Sequence, residues 1–190
     1  MKVLLVGVIE KYMCNDPTRF FEPETEYTTL DADPDVKADY HADIRWSMPD
    51  ELIGRFEAVF CSHVLEHIEW AWAQKAVANL AKVLKVNGEL HVFTPDLEWA
   101  CRHVIDQDEN MSVIGVLYGG QSTAWDYHKC GYTERSLQTL VRMCDLEVKS
   151  VAKGKYRGLY TTANGEDKKA QVDQVYVIGV KRDHSMFATN

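Results

Sequence analysis

The chain has 190 residues, of which 46% are hydrophobic and 26% are charged. This length suits one domain with a core on both sides of a sheet, so we expect residues 1–190 to form a single domain. The formal net charge of −8 argues against a broad phosphate-binding surface, and a nucleic-acid partner is not expected.

No apolar run reaches the length of about 18 residues that a membrane-spanning helix needs, so no membrane partner is expected. The apolar run at the amino terminus is too short for a signal peptide. The five cysteines are odd in number and show no C-x-x-C spacing, which favours free thiols in a reducing compartment. Together these features predict a cytoplasmic protein.

Short strands separated by polar loops are predicted in the first quarter of the chain. Residues 2–6 form an apolar run that ends at Gly7, which is typical of a strand buried on both faces. Further strands are predicted at 27–30 and 39–44. Ser47 and Gly54 then predict the two ends of a short helix.

The middle of the chain reads as strand, helix, strand. The strands are predicted at 57–62 and 89–94, and a helix over 69–85 is indicated by apolar residues at a spacing of 3.6. Asn87-Gly88 predicts the left-handed residue that ends this helix. Short connections between the three elements predict a right-handed parallel crossover.

The last half of the chain adds two helices and two strands. The helices are predicted at 96–105, capped by Asp96, and from Thr133 to Met143. Residues 106–131 are predicted to be mainly loop. The strands are predicted at 146–153 and 172–181, joined by a long hairpin connection. This order of elements predicts an α/β fold ending in an antiparallel strand pair.

Ligands of such sheets bind beyond the carboxyl ends of the strands, where the strand order reverses. Asp31 ends the second predicted strand, and a carboxylate there can accept hydrogen bonds from both hydroxyls of a ribose. Asp43 follows the third and could accept from an adenine amine. An exposed loop aspartate is the alternative for each residue.

His63, Glu66 and His67 match the inverted zinc-protease pattern H-x-x-E-H. That pattern requires both histidines on one face of a regular helix. His63 directly follows a predicted strand, so the pattern does not predict a metal site here, and no metal is expected. The alternative to a metal site is a turn whose apolar residues pack inward.

The run CSHVLEHI, followed by LAKVLKVNGELHVFTPDL, resembles class I S-adenosylmethionine-dependent methyltransferases. Within that family, S-H-V-L-E-H with a later Y-H-x-x-G-[FY]-T is similar to a small type 11-like branch. LDADPDVKADYHADI and DYHKCGYTERSLQTLVRMCDLEV extend the resemblance over nearly the whole chain. It implies a Rossmann-like three-layer sandwich with a mostly parallel seven-stranded sheet, strand order 3-2-1-4-5-7-6.

The resemblance implies methyl transfer from S-adenosylmethionine, leaving S-adenosylhomocysteine, to an unidentified acceptor, with a small molecule or a glycan favoured. Asp31 would bind the ribose, Asp43 would line the adenine, and three residues at the end of the fourth strand, 61–63, would lie along the methionine part. The implied cofactor-binding residues are Gly7, Asp31, Asp43, Cys61, Ser62 and His63. If the acceptor must lose a proton, His63 and His128 are the candidate catalytic bases.

The first loop, LLVGVIEKYMCNDP, keeps only Gly7 of the glycines usual in this family. A catalytically inactive binding module with the same fold is therefore the alternative. A nicotinamide-dependent enzyme is disfavoured because G-x-G-x-x-G is absent. No helix precedes the first strand, from which we expect an open acceptor side suited to a large acceptor, a partner subunit or a homodimer.

Overall fold

A computed structural model describes residues 1–7, 15–106, 111–161 and 167–183. Its centre is one seven-stranded sheet with the order β3-β2-β1-β4-β5-β7-β6, as predicted. The strands are β1 (Lys2–Val6), β2 (Glu26–Asp31), β3 (Tyr40–His41), β4 (Phe56–Ser62), β5 (Leu84–Pro95), β6 (Leu146–Thr161) and β7 (Asp167–Lys181).

The first five strands run parallel, and β7 lies antiparallel between β5 and β6. The predicted parallel crossover from β4 to β5 and the terminal antiparallel pair are both confirmed. Because β2 and β4 lie on opposite sides of β1, the strand order reverses next to β1. The carboxyl ends of β1 and β4 therefore flank the position where α/β sheets bind ligands.

Four α-helices complete the layers on either side of the sheet. They are α1 (Trp70–Val83), α2 (Leu97–Ile105), α3 (Met111–Tyr118) and α4 (Glu134–Arg142). The apolar faces of α1 and α4 share a core with β1, β4 and β5 on one face of the sheet. On the other face, α2 and α3 pack near Val172, and Phe20 and Phe21 cover the rings of Phe60 and Phe93. None of the helices in the described ranges is long and apolar enough to cross a bilayer.

The predicted helix from Ser47 to Gly54 is wrong in extent. Only a single 3-10 turn forms, at Asp50–Leu52, and its N-cap is Pro49. A residue before proline is biased away from the helical region, so the helix cannot extend back through Met48. Gly54 does adopt a left-handed φ of 67° just after this turn.

The loop predicted at 106–131 contains α3. Val113 and Val116 are buried against Ala100 of α2, and Gly119, with a φ of 77°, follows the helix. The sequence of α3 is apolar around most of its circumference and contains Gly115, so it lacks the amphipathic period that marks a surface helix. Tertiary packing decides its structure.

Asn87-Gly88 does not end α1, contrary to prediction, because that helix already ends at Val83. Asn87 has a φ of 63°, but it lies inside β5, where the pairing with β4 jumps from Leu84 to Glu89. The predicted hairpin connection between β6 and β7 is largely strand. The pairing of the two strands continues up to the pair Thr161 and Asp167.

Candidate functional site

The carboxyl ends of three neighbouring strands meet at the point where the strand order reverses. In the sheet register, Val6 lies opposite Leu30 on one side and Cys61 on the other. The residues that follow, Gly7, Asp31 and Ser62, therefore lie side by side. The structure brings together three of the predicted site residues, contributed by β1, β2 and β4.

Gly7 occupies a position that requires glycine. Its φ is 77°, its N–H donates to the Leu30 carbonyl (3.0 Å), and a Cβ built on it would overlap the Val64 side chain. Its conformation and the lack of space both exclude a side chain. The remainder of the predicted glycine loop, including Val8, Ile9 and Glu10, lies outside the described residues.

Asp31 is held at this edge by local hydrogen bonds. Its Oδ1 accepts from the Asp33 N–H (2.9 Å), and its carbonyl accepts from the Ala42 N–H (3.0 Å). This Asx-type turn fixes the carboxylate at the end of β2, in partial contact with solvent. That is the position expected of a ribose-binding carboxylate.

Asp43 already has a strong partner, which the sequence analysis missed. The Arg45 guanidinium donates to both of its oxygens, at 2.7–3.1 Å, and reaches Glu69 Oε2 at 2.8 Å. Partial burial opposes ionisation of Asp43. The hydrogen bonds from Arg45 have the larger combined effect and lower the pKa of the Asp43 carboxyl group. A contact with an adenine amine would require Asp43 to share these oxygens.

Cys61 and Ser62 point in different directions at the end of β4. The Cys61 side chain is fully buried in the hydrophobic core, where burial strongly raises the pKa of its thiol. Its sulfur therefore faces the core, and the predicted contact of Cys61 along the cofactor stays a prediction. Ser62 instead faces the site, and its Oγ accepts a hydrogen bond from Asn15 Nδ2 (2.9 Å).

Asn15 and Gln174 form a reciprocal amide pair beside Ser62. Asn15 Nδ2 donates to Gln174 Oε1 (3.0 Å), and Gln174 Nε2 donates to Asn15 Oδ1 (2.9 Å). Sequence reasoning missed both residues. A signal for Gln174 existed, since it lies on the same face of β7 as Val172 and Tyr176 and is a polar residue in an inward-facing position.

His63 lies between Gln174 and Glu66. Its Nε2 is 3.1 Å from Gln174 Oε1, its Nδ1 is 3.2 Å from Glu66 Oε1, and its ring packs against Tyr156 with 4.2 Å between centroids. Its φ of 56° shows that the chain turns sharply here. Since both ring nitrogens already face oxygens, His63 is well placed to orient these two side chains.

Glu66 is the buried acidic residue of the site, with only 1% of its surface exposed. Burial disfavours the charged carboxylate, but a hydrogen bond from His63 and the nearby rings of His63, His67 and His128 outweigh this effect and lower the pKa of Glu66 to about 2. Its backbone carbonyl accepts hydrogen bonds from the N–H groups of Lys129 (2.7 Å) and Cys130 (3.1 Å).

His128 approaches Glu66 from the segment after α3. Its Nδ1 donates to the Val116 carbonyl (2.8 Å), and its ring lies 4.8 Å from that of His67. Burial lowers the pKa of His128, although the charge of Glu66 opposes this shift. The structure therefore brings both predicted bases, His63 and His128, to one carboxylate.

The aromatic residues around His128 divide into two groups. Tyr132 is fully buried in the main core, whereas Tyr118, Trp125 and Tyr127 are exposed. The exposed rings lie outside the core: Tyr118 ends α3, and Trp125 and Tyr127 lie on the segment that carries His128.

No family model matches this chain, and no curated protein matches it. Solved structures do match. A SAM-dependent methyltransferase from Methanosarcina mazei aligns over 95% of this chain and 92% of its own, with 12% identity and a TM-score of 0.59. A 1,6-didemethyltoxoflavin-N1-methyltransferase from Burkholderia thailandensis, solved with S-adenosylhomocysteine, aligns over 96% and 71%, with 12% identity and a TM-score of 0.55.

The N-methyltransferase NodS from Bradyrhizobium japonicum, also solved with S-adenosylhomocysteine, aligns over 96% of this chain and 78% of its own. The identity is 14% and the TM-score is 0.52. At these identities the likeness shows the fold, and it agrees with the strand order found here.

Proposed function

We propose that this chain, which has the fold of class I S-adenosylmethionine-dependent methyltransferases, transfers a methyl group from that cofactor and releases S-adenosylhomocysteine. The observation that carries the proposal is the meeting of Gly7, Asp31 and Ser62 at the carboxyl ends of β1, β2 and β4. The site where the strand order reverses therefore contains the backbone of a glycine, the carboxylate of Asp31 and the hydroxyl of Ser62.

Each of these residues has a distinct role in the proposal. The Asp31 carboxylate accepts hydrogen bonds from the ribose hydroxyls, and Gly7 allows the ligand to approach the backbone of the first loop. Ser62 and His63 border the methionine part. The cofactor supplies a methyl group already activated on a sulfonium, so the protein mainly provides binding and orientation.

The fold neighbours solved with S-adenosylhomocysteine support this choice of cofactor. The net charge of −8 favours a small molecule or a glycan over a nucleic acid as the acceptor. A hydroxyl or amine acceptor would give its proton to His128, or to His63 once one of its ring nitrogens leaves Glu66 or Gln174; both histidines lie near the Glu66 carboxylate. A homodimer or partner subunit and a cytoplasmic location stay predictions from the sequence.

Isothermal titration of S-adenosylhomocysteine into the purified protein tests the proposal. We expect micromolar binding to the wild type and loss of binding in Asp31→Ala, because the ribose loses its carboxylate partner. Asp35→Ala is the matched control: it lies in the same acidic loop, is exposed, and should bind like the wild type.

The alternative is a binding module that has lost its cofactor, and the single glycine in the predicted first loop favours it. Folded protein that shows no heat of binding at millimolar S-adenosylhomocysteine would contradict the proposed function and support this alternative. If the wild type and Asp31→Ala bind S-adenosylhomocysteine equally, the proposed cofactor would stand. The proposed contact between Asp31 and the ribose would be wrong.

A further inference from the structure

Three side chains beside the proposed cofactor site converge on one small volume. The possible ligand atoms of Glu66, His67 and His128 all lie within 4.8 Å of one another. We propose that these three residues bind a divalent first-row transition-metal ion of the Zn²⁺ type. The proposal goes beyond methyl transfer and does not depend on it.

The Glu66 carboxylate is the strongest argument for an ion. It is 1% exposed; its Oε2 accepts no hydrogen bond from any residue in the described ranges, and its Oε1 has the His63 Nδ1 contact at 3.2 Å. A cation bound at Oε2 would give this buried oxygen the partner that the described residues do not supply.

The two histidines are oriented as metal ligands are. His67 Nδ1 lies 3.2 Å from the Tyr127 carbonyl, and His128 Nδ1 lies 2.8 Å from the Val116 carbonyl. A carbonyl can only accept, so each Nδ1 carries the hydrogen and each Nε2 keeps its lone pair. Histidine ligands of metals commonly donate their second N–H to a backbone carbonyl in this way.

The backbone holds the two contributing segments together without the ion. Glu66 and His67 belong to the 3-10 turn Leu65–His67 after β4, and His128 belongs to the segment after α3. The Glu66 carbonyl accepts hydrogen bonds from Lys129 and Cys130, which ties the segments directly at the site. The three ligands therefore come from a framework that is already connected.

The distances suit a first-row ion after small side-chain movements. Ligand atoms at about 2 Å from an ion lie no more than about 4 Å apart. Two imidazoles and one carboxylate favour Zn²⁺, Fe²⁺, Co²⁺ or Ni²⁺ over Mg²⁺ or Ca²⁺. Both histidines are partly exposed, so the remaining coordination positions are open to water or to an oxygen of a bound molecule.

This ligand set differs from the H-x-x-E-H pattern of the sequence. His63 has a left-handed φ and Val64 is not helical, so His63 and His67 do not share a helix face. The pattern in the sequence therefore does not predict a metal site. His128 supplies the missing second imidazole, while His63 contacts Glu66 and Gln174 instead. With an ion on His128, only His63 remains as a candidate base.

The test starts from protein stripped with a chelator and titrated with Zn²⁺ by calorimetry and with Co²⁺ by visible absorption. We expect one equivalent of each ion to bind, d–d absorption from Co²⁺, and a rise in melting temperature with Zn²⁺. These readouts require neither cofactor nor acceptor, so the result is independent of the proposed methyl transfer.

Glu66→Gln and His128→Gln test the ligands, and His103→Gln is the control. His103 also has its Nδ1 against a backbone carbonyl, that of Trp99, but lies outside the cluster. We expect each of the two ligand variants to bind the metal ion more than about 100-fold more weakly than the wild type. This exceeds the loss typical of residues that only hydrogen-bond to a metal ligand, and the control variant should bind the ion like the wild type.

Absence of stoichiometric binding by the wild type would overturn the proposal, as would equal binding by the wild type and both ligand variants. Because Glu66 is buried, circular dichroism must show that Glu66→Gln is folded. The more exposed His67→Gln gives a second ligand variant if it is not.

Discussion

His91 shows how a single buried residue makes stability depend on pH. It is 4% exposed in β5, its Nδ1 lies 2.7 Å from Tyr176 Oη, and its Nε2 lies 3.1 Å from Glu89 Oε2. Burial lowers the pKa of His91, although the charge of Glu89 opposes the shift, and Lys149, paired with Glu89, adds to it. The folded state therefore prefers the neutral ring.

We expect the free energy of unfolding to fall as the pH drops below about 6.5, the ordinary pKa of histidine. Below that value the unfolded chain binds a proton that folded His91 resists, so stability is present above it and is lost as the pH falls through the folded pKa. Urea denaturation between pH 8 and pH 5 measures this.

His91→Gln should flatten this part of the pH profile relative to the wild type. The comparison cancels the other histidines, which are common to both proteins. A variant whose profile runs parallel to that of the wild type would show that His91 does not contribute.

The first part of β5, which follows α1 directly, contains a glycine in a position with no room for a side chain. A Cβ on Gly88 would lie 2.9 Å from the Lys85 carbonyl oxygen, 3.1 Å from that of Phe56 and 3.2 Å from that of Glu57. All three are backbone atoms of the paired strands, so they cannot move aside without disturbing β4 and β5. Gly115 in α3, in contrast, has open space where a Cβ would lie.

We expect Gly88→Ala to destabilise the fold by about 1–3 kcal/mol, the usual cost of overpacking. Gly115→Ala is the matched control and should stabilise the protein by about 0.5–1 kcal/mol, because alanine favours a helix. Chemical denaturation of both variants measures the two changes. A stable Gly88→Ala protein would show that the excursion inside β5 can rearrange.

At the scale of the whole molecule, one continuous core joins the sheet to α1 and α4. Asn15 and Gln174, 159 positions apart, add hydrogen bonds between the first and last parts of the described chain. These contacts support the proposal that residues 1–190 form a single domain.

We therefore expect one cooperative unfolding transition. Trp72 belongs to α1, and Trp99 belongs to α2 on the opposite face of the sheet, so tryptophan fluorescence reports on both layers. Its transition should coincide with that of far-UV circular dichroism. Two separated transitions would show that the layers unfold independently.

Local patterns predicted the fold well where the pattern and the packing agree. The apolar run before Gly7, the cap at Thr133 and the short crossover between β4 and β5 each have a cause within a few neighbouring residues. The prediction was wrong at Ser47 and within 106–131. In the first case the following proline opposes the helix, and in the second the helix depends on burial against α2.

By itself, the sequence determined the α/β order and the residues at the strand ends, because hydrophobic period and caps act over short distances. The sheet topology was implied by the family resemblance. Only the tertiary structure decided which side chains pair. It places Arg45 on Asp43, Gln174 on His63, and His128 beside Glu66. The last two pairs join side chains far apart in the chain, and the direction in which each side chain points is set by packing that no local pattern records.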